Sequence, residues 1–136
     1  MMKQILLTAG LTTMLLIGTS CGSGNGQIMW QDVGECIGGD VTGGGAGANL
    51  SEERLWQNPS ELAEVNFDLT TANKGELRIT ITDASGNVVF DHGLTKDSGD
   101  DTFSGTTKSG TPGQWTVKVT LKKFKGDGSF SVCPVN

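Results

Sequence analysis

The sequence predicts a small all-β domain, an antiparallel β-sandwich, with an open β-barrel as the alternative architecture. Apolar and polar residues alternate along much of the second half of the chain, as in strands with one buried face. The turns between these segments are rich in Gly, Asn and Asp and are too short for parallel crossovers. With 136 residues the chain has room for one such domain, which we place at residues 28–136.

Three segments show the clearest alternation of apolar and polar residues: 65–70, 77–82 and 115–122. Shorter apolar runs indicate further strands, to give six to eight in all: 28–33, 88–90, the vicinity of Phe103, and 130–132. Trp115 has the same parity as Val117 and Val119, so we expect its ring in the core.

Two segments before residue 60 do not fit the strand pattern. Residues 38–48 (GGDVTGGGAGA) are so rich in glycine, which loses the most backbone entropy on ordering, that we expect a mobile loop. Residues 51–57 (SEERLWQ) fit one or two helical turns that end at Pro59. Trp56 in this polar segment is therefore our candidate for a surface aromatic ring that binds a sugar.

The N-terminus has the pattern of an export signal. Residues 5–17 are mostly apolar and are too few to span a bilayer, but they suit the central region of a signal peptide. Residues 15–22 (LLIGTSCG) resemble the lipobox of bacterial lipoproteins, except that Gly18 occupies a position that is usually apolar. The resemblance implies that residues 1–20 form a cleaved signal helix and that Cys21 carries a diacylglycerol. The alternative is ordinary secretion without a lipid.

The same resemblance implies a location and an organisation. Residues 21–27 would be the lipidated cysteine and a flexible tether, and the domain would be anchored in the bacterial cell envelope. Gly22 takes the place of an aspartate that resembles a retention signal for the inner membrane, which favours the outer membrane or cell surface.

The cysteine count supports a disulfide. Three cysteines are an odd number for an exported protein, and a lipid on Cys21 leaves Cys36 and Cys133. An oxidising compartment would let these two pair, and the alternative is two unpaired buried thiols.

Charge and composition exclude several classes of partner. The chain has 10 basic and 15 acidic residues, a net charge of −5, which argues against nucleic acid and against a polybasic membrane patch. Three cysteines and one histidine nearly exclude a metal site built from these residues, and we expect no cofactor, with calcium as the possible exception. The calcium candidates are Asp97, Asp100 and Asp101, with Asp91 or Asp127 as additional ligands, and a solvated acidic loop is the alternative.

Catalytic machinery is hard to assemble from this sequence. His92 is the sole histidine, and its neighbour Asp91 would point to the opposite face of a strand. The one G-x-S-x-G motif, residues 18–22, lies in the signal. Residues 43–48 fit G-x-G-x-x-A but lack the surrounding βαβ unit of a dinucleotide site. We therefore expect a protein that is not an enzyme, with a secreted hydrolase as a distant alternative.

Residues 113–132 (GQWTVKVTLKKFKGDGSFSV) resemble the closing hairpin of secreted immunoglobulin-like and pre-peptidase C-terminal-like domains. This resemblance implies a sandwich and transfers no binding or catalytic residues. The function we expect is a membrane-anchored, non-catalytic binding, adhesive or structural module with a protein or glycan partner. The alternative is a calcium- or carbohydrate-binding β-sandwich module.

Overall fold

The computed structural model describes residues 25–95 and 101–136, which form an all-β domain without helices. Six strands follow one another along the chain: β1 (Gly26–Val33), β2 (Cys36–Asn58), β3 (Ala63–Thr82), β4 (Val88–Thr95), β5 (Thr102–Thr106) and β6 (Gly113–Pro134). Within the described ranges, no helix is long and apolar enough to cross a membrane. The predicted signal segment 1–20 and Cys21 lie outside these ranges.

All strand pairs are antiparallel and belong to one continuous sheet. The strand order is β1-β2-β6-β3-β4, and β5 pairs with β3 on the side where β4 also lies. The strands β2, β3 and β6 are 23, 20 and 22 residues long, and their pairing shifts in register near the middle of each strand. Because the long strands bend at these irregularities, the sheet folds over and its two halves face each other.

The two halves form the layers of a sandwich. The front layer contains β1, β5 and one half of each long strand: residues 36–43, 63–72 and 126–134. The back layer contains β4 and the other halves: residues 50–58, 76–82 and 113–122. The predicted antiparallel β-sandwich is therefore confirmed, with the particular feature that three strands run through both layers.

Alternation of apolar residues along the strands builds the core between the layers. Phe67 of the front layer packs edge-on against Phe90 of the back layer, with 6.3 Å between ring centroids. Trp115 is fully buried, as its parity predicted, and meets Trp56 at 6.0 Å and nearly perpendicular planes. Such edge-to-face pairs add to the stabilisation that burial alone provides.

The structure corrects the prediction of a loop at residues 38–48, because this segment belongs to β2. A Cβ atom on Gly38 would lie 2.4 Å from the carbonyl oxygen of Phe130, and one on Gly39 would lie 2.2 Å from that of Met29. The neighbouring backbones therefore approach more closely than any side chain would allow. Glycine serves this close approach, and pairing with both β1 and β6 offsets its entropic cost.

The expected helical turns at residues 51–57 are also absent, because β2 continues to Asn58 and pairs with β6 throughout. Glu52, Arg54 and Trp56 have the inward parity, whereas Leu55 is 63% exposed on the outer face. The charged residues among the inward positions made this strand resemble a polar helix. They lie at the edge of the back layer, where the inner face reaches solvent.

Candidate functional site

Trp56 does not have the surface position that the sequence analysis expected. Its side chain is 7% exposed, packs on Trp115 and donates a 2.8 Å hydrogen bond from Nε1 to the carbonyl oxygen of Glu35. Glu35 belongs to the turn between β1 and β2, so Trp56 fastens this turn to the core. The ring is therefore unavailable for stacking on a sugar.

His92 lies on the inner face of β4 among aromatic rings. Its ring centroid is 4.5 Å from that of Phe103 and 5.9 Å from that of Phe67. Asp91 points to the opposite face, where Oδ1 accepts a 2.7 Å hydrogen bond from Nε of Arg78. This bond holds the pKa of Asp91 below its ordinary value. The two neighbours therefore serve separate contacts, and Asp91 does not orient the imidazole.

The acidic residues proposed as calcium ligands are only partly described. Asp97 and Asp100 lie outside the described residues. Asp101 precedes β5, and its backbone carbonyl oxygen accepts a 2.7 Å hydrogen bond from the amide of Leu69. In residues 25–95 and 101–136, no group of three or more His, Cys, Asp or Glu side chains is arranged to hold a metal ion.

The remaining predicted pair, Cys36 and Cys133, forms a disulfide bond. Cys36 is the first residue of β2, and Cys133 lies near the end of β6. Their Cα atoms are 4.3 Å apart, so the bond links two neighbouring strands at one end of the front layer. The alternative of two unpaired thiols does not hold in this structure.

The outer face of the front layer is the most distinctive surface of the domain. None of its five strand segments contains a lysine or an arginine. Two rows of side chains cross it from β1 to β5: Met29, Asp40, Ser129, Asp68 and Thr102 form one, and Gln31, Gly38, Ser131, Asn66 and Ser104 form the other. This face therefore offers hydroxyl, amide and carboxylate groups without any positive charge.

A groove runs across this face because its central residues are small. Two adjoining cavities, of about 370 and 210 Å³, both border residues 129–131 of β6. The first cavity reaches Asn66, Asp68 and Thr102, and the second reaches Gln31 and Asp40. Ser129 and Ser131, together with Gly38, leave a depression between the longer side chains of β1 and β3. We call this depression the front groove.

Hydrogen bonding within the front groove orients its polar groups. The hydroxyl of Ser104 donates a 2.6 Å hydrogen bond to Oδ1 of Asn66, which fixes the side-chain amide. The Nδ2 group of Asn66 is then left to donate to a ligand. Asp68 lies two residues further along β3 and on the same face, about 7 Å away along the strand. A donor and an acceptor thus stand side by side.

The outer face of the back layer has a different character. It carries both signs of charge, including Lys118, Glu53 and the ion pairs of Arg78 with Asp91 and Glu76. Arg78 is paired with two carboxylates, and the cavity of about 440 Å³ at one end of this face borders charged side chains, including Glu76 and Lys122. The two faces of the sandwich therefore differ in chemistry as well as in shape.

Sequence reasoning missed the residues of the front groove. Asn66, Asp68, Ser129 and Ser131 appeared only as the solvated positions of alternating strands. One usable signal was present, because the five segments that form this layer have acidic residues but no basic ones. Their adjacency, however, follows from the fold and not from the order of the chain.

No protein-family model matches the chain, and no curated protein is significantly similar to it. Several solved structures have a similar fold. The module TmCBM61, solved in complex with β-1,4-galactotriose, is 14% identical over 79% of this chain and 69% of its own, with a TM-score of 0.44. The enzymatically active domain of bacteriophage CBA120 tailspike protein 4 is 11% identical, with a TM-score of 0.47. That match covers 93% of this chain but 26% of the tailspike chain.

A third similar structure is the carbohydrate binding module CBM6cm-2 from Cellvibrio mixtus lichenase 5A, in complex with cellotriose. It is 19% identical over 82% of this chain and 88% of its own, with a TM-score of 0.38. At these identities the similarity concerns the fold alone.

Proposed function

We propose that this domain is a non-catalytic module that binds a neutral glycan in the front groove. The observation that carries the proposal is a groove lined by hydroxyl, amide and carboxylate groups on a face without basic residues. Sugars present rows of hydroxyl groups that both donate and accept hydrogen bonds. A surface of uncharged polar groups and carboxylates complements them without demanding a charged ligand.

The pair formed by Asn66 and Asp68 suits two neighbouring hydroxyls of a sugar ring. The carboxylate of Asp68 accepts hydrogen bonds, and the amide of Asn66, held by Ser104, donates them. Each hydroxyl of a diol can satisfy one of the two. Hydrogen bonds to a charged group are stronger than neutral ones, so Asp68 is the stronger of the two contacts.

Apolar contact is available at the β1 edge of the front groove. Met29 and Val33 are 57% and 61% exposed and project from the outer face of β1. Their side chains offer a surface for the C–H groups of a sugar ring, in the role that the sequence analysis had assigned to Trp56. The aromatic rings of the front layer, such as Phe130, point to the core instead.

The charge of the face selects among glycans. Asp40, Asp68 and Glu64 all lie on it, and no cation of the same layer balances them. A uronic acid or a sulfated sugar would meet like charges, so we expect neutral glycans to bind. The face is five strands wide, about 19 Å between the outermost strands, which accommodates an extended oligosaccharide.

The test is a screen of neutral and acidic polysaccharides, followed by calorimetry with the best neutral ligand. We expect Asp68→Ala and Asn66→Ala each to weaken binding about tenfold or more. Glu53→Ala, which removes an exposed carboxylate from the back layer, is the matched control and should leave affinity unchanged. Preference for acidic glycans, or full affinity in the Asp68→Ala and Asn66→Ala double variant, would contradict the proposal.

We further propose that a lipid on Cys21 displays this module at the cell envelope. The support is the sequence alone: the lipobox-like residues 15–22 and the tether that follows them. Mass spectrometry of the mature N-terminus should show a diacylated Cys21, and Cys21→Ala should release the protein from the membrane fraction. An unmodified chain that still begins at Met1 would contradict this second proposal.

A further inference from the structure

Four exposed lysines gather at the end of the sandwich where the long strands pass from one layer to the other. They are Lys74 of β3 and Lys122, Lys123 and Lys125 of β6. Lys74 is the register partner of Lys125, and Lys74, Lys122 and Lys123 border one cavity of about 440 Å³. We call these four residues the lysine end.

The bend in β6 is what exposes these lysines together. In a regular strand, neighbouring side chains point to opposite faces. Here Lys123 has a φ of 49°, in the left-handed region, and both Lys122 and Lys123 are exposed between the buried residues Leu121 and Phe124. Gly75, with a φ of 92°, passes so close that an added Cβ would lie 2.2 Å from the carbonyl oxygen of Lys123. The backbone therefore holds the bend in place.

Positive charge at the lysine end is poorly neutralised by the carboxylate that lines its cavity. Glu76 borders the same cavity and is the register partner of Lys122, but its Oε2 is also 3.2 Å from Nη1 of Arg78, so this one carboxylate is shared between an arginine and four lysines. Like charges on directly paired strands, as at Lys74 and Lys125, destabilise a sheet. An anionic surface outside the protein would relieve this repulsion.

The described chain begins at this same end. The amide of Gly44 donates a 2.8 Å hydrogen bond to the carbonyl oxygen of Asn25, and Gly26 pairs with Gly43. Gly43 in turn pairs with Gly126, the residue after Lys125. Two strand spacings, about 10 Å, therefore separate the start of β1 from the lysine end. Cys21 lies four residues before Asn25, a span of at most about 14 Å.

We infer that the lysine end rests on the anionic headgroups of the bilayer in which Cys21 is anchored. This inference depends on the proposed lipid at Cys21 and is independent of the glycan site. The net charge of −5 argued against a basic membrane patch, but the fold concentrates lysines where the tether enters. Lysines near an anionic surface add electrostatic attraction to a lipid anchor. In this orientation the front groove stands beside the bilayer, and the disulfide end is the most distant.

The test compares lysine labelling of the full lipidated protein in two kinds of vesicle. One contains phosphatidylcholine alone, and the other also contains phosphatidylglycerol. We expect an amine-reactive reagent to label the lysine end several-fold more slowly in the anionic vesicles, and high salt to remove the difference. Lys108 and Lys118 are exposed elsewhere on the domain and are the internal controls, with equal labelling in both.

Lysine variants distinguish docking through the lysine end from anchoring through the lipid on Cys21. Replacement of Lys122, Lys123 and Lys125 by Glu should abolish the difference at Lys74, whereas Lys108→Glu with Lys118→Glu should preserve it. Equal melting temperatures establish that the variants fold. Equal labelling in both vesicles, with the protein still bound to them, would overturn the docking alone. Protection by inorganic phosphate without vesicles would assign the lysines to a soluble anion and also overturn it. A Cys21 that carries no lipid would overturn both the proposed membrane anchor and the proposed docking of the lysine end.

Discussion

The indole Nε1 of Trp30, on the front layer, donates a 2.9 Å hydrogen bond to Oε1 of Glu52, on the back layer. The guanidinium carbon of Arg54 lies 5.5 Å from the centroid of the same ring. Trp30 also meets Phe130 edge-on at 5.3 Å. One aromatic side chain thus joins the apolar core to two charged groups. The contact closes the side of the sandwich at which β1 has no further strand beside it.

Removal of this contact should loosen that side of the domain. We expect Glu52→Ala to lower the free energy of unfolding by about 1 kcal/mol, because it removes a half-buried hydrogen bond to a charged group. Urea denaturation followed by tryptophan fluorescence measures the change. Glu53→Ala is the control, since the neighbouring side chain points away from Trp30. An equal loss in both variants would show that the bond contributes nothing specific.

The disulfide between Cys36 and Cys133 should contribute strongly to stability. It closes a segment with a sequence separation of 97 residues, and the chain-entropy model assigns such a loop up to about 4 to 5 kcal/mol. We expect Cys36→Ser with Cys133→Ser to approach this loss in chemical denaturation. Wild-type protein under reducing conditions should unfold at the same denaturant concentration as the double variant. Coincident unfolding curves for oxidised wild type and the double variant would contradict the expectation.

The sequence predicted the strands whose two faces differ in polarity. Ile79 and Val119 alternate with polar residues, and both are fully buried at paired positions of β3 and β6. The turn between β3 and β4 has the Gly-, Asn- and Asp-rich composition predicted for the turns, and Oδ1 of Asp83 accepts hydrogen bonds there from the backbone amides of Ser85 and Asn87. Such features depend on residues close in the sequence.

Features that depend on distant residues escaped prediction. The Gly-rich part of β2 is ordered because backbones of β1 and β6 approach it, and nothing within residues 38–48 announces those neighbours. Trp56 was assigned to the surface because its sequence neighbours are polar, although its partner Trp115 lies 59 residues further along the chain. The front groove likewise brings together residues from separate strands. Strand pairing determines all three of these features, and the local alternation of apolar and polar residues does not show which strands pair.

The Gly-rich segment offers a matched pair of substitutions. Gly38→Ala should destabilise the domain by about 1 to 3 kcal/mol, because the new Cβ would lie 2.4 Å from the carbonyl oxygen of Phe130 and the strands must separate. Gly44→Ala should change stability by less than about 0.5 kcal/mol, since nothing lies within 4 Å of its added Cβ. Thermal unfolding of both variants distinguishes a packing requirement at one position from a general dependence on glycine. Similar melting temperatures for the two would refute the packing requirement.

Asp83 should make stability depend on acid pH. Its carboxylate is buried and accepts hydrogen bonds from the backbone amides of Thr111, Asn87 and Ser85, which lower its pKa from the ordinary 3.8. A carboxyl whose pKa is lower in the folded than in the unfolded state stabilises the fold above its unfolded pKa. That stabilisation is lost as the pH falls through the folded pKa. We therefore expect the melting temperature to decrease when the pH drops below about 4.

The variant Asp83→Asn should have a lower melting temperature at neutral pH and a weaker dependence on acid. Asp91→Asn is the comparison, because the pKa of Asp91 is also lowered, chiefly by its hydrogen bond to the guanidinium of Arg78. The contact between Asp91 and Arg78 is exposed, so high salt should reduce its share of the acid effect. The contribution of Asp83 to the acid dependence should persist in high salt, because its hydrogen-bond donors are backbone amides that the fold holds in place. An acid profile that Asp83→Asn leaves unchanged would assign the effect to other carboxylates.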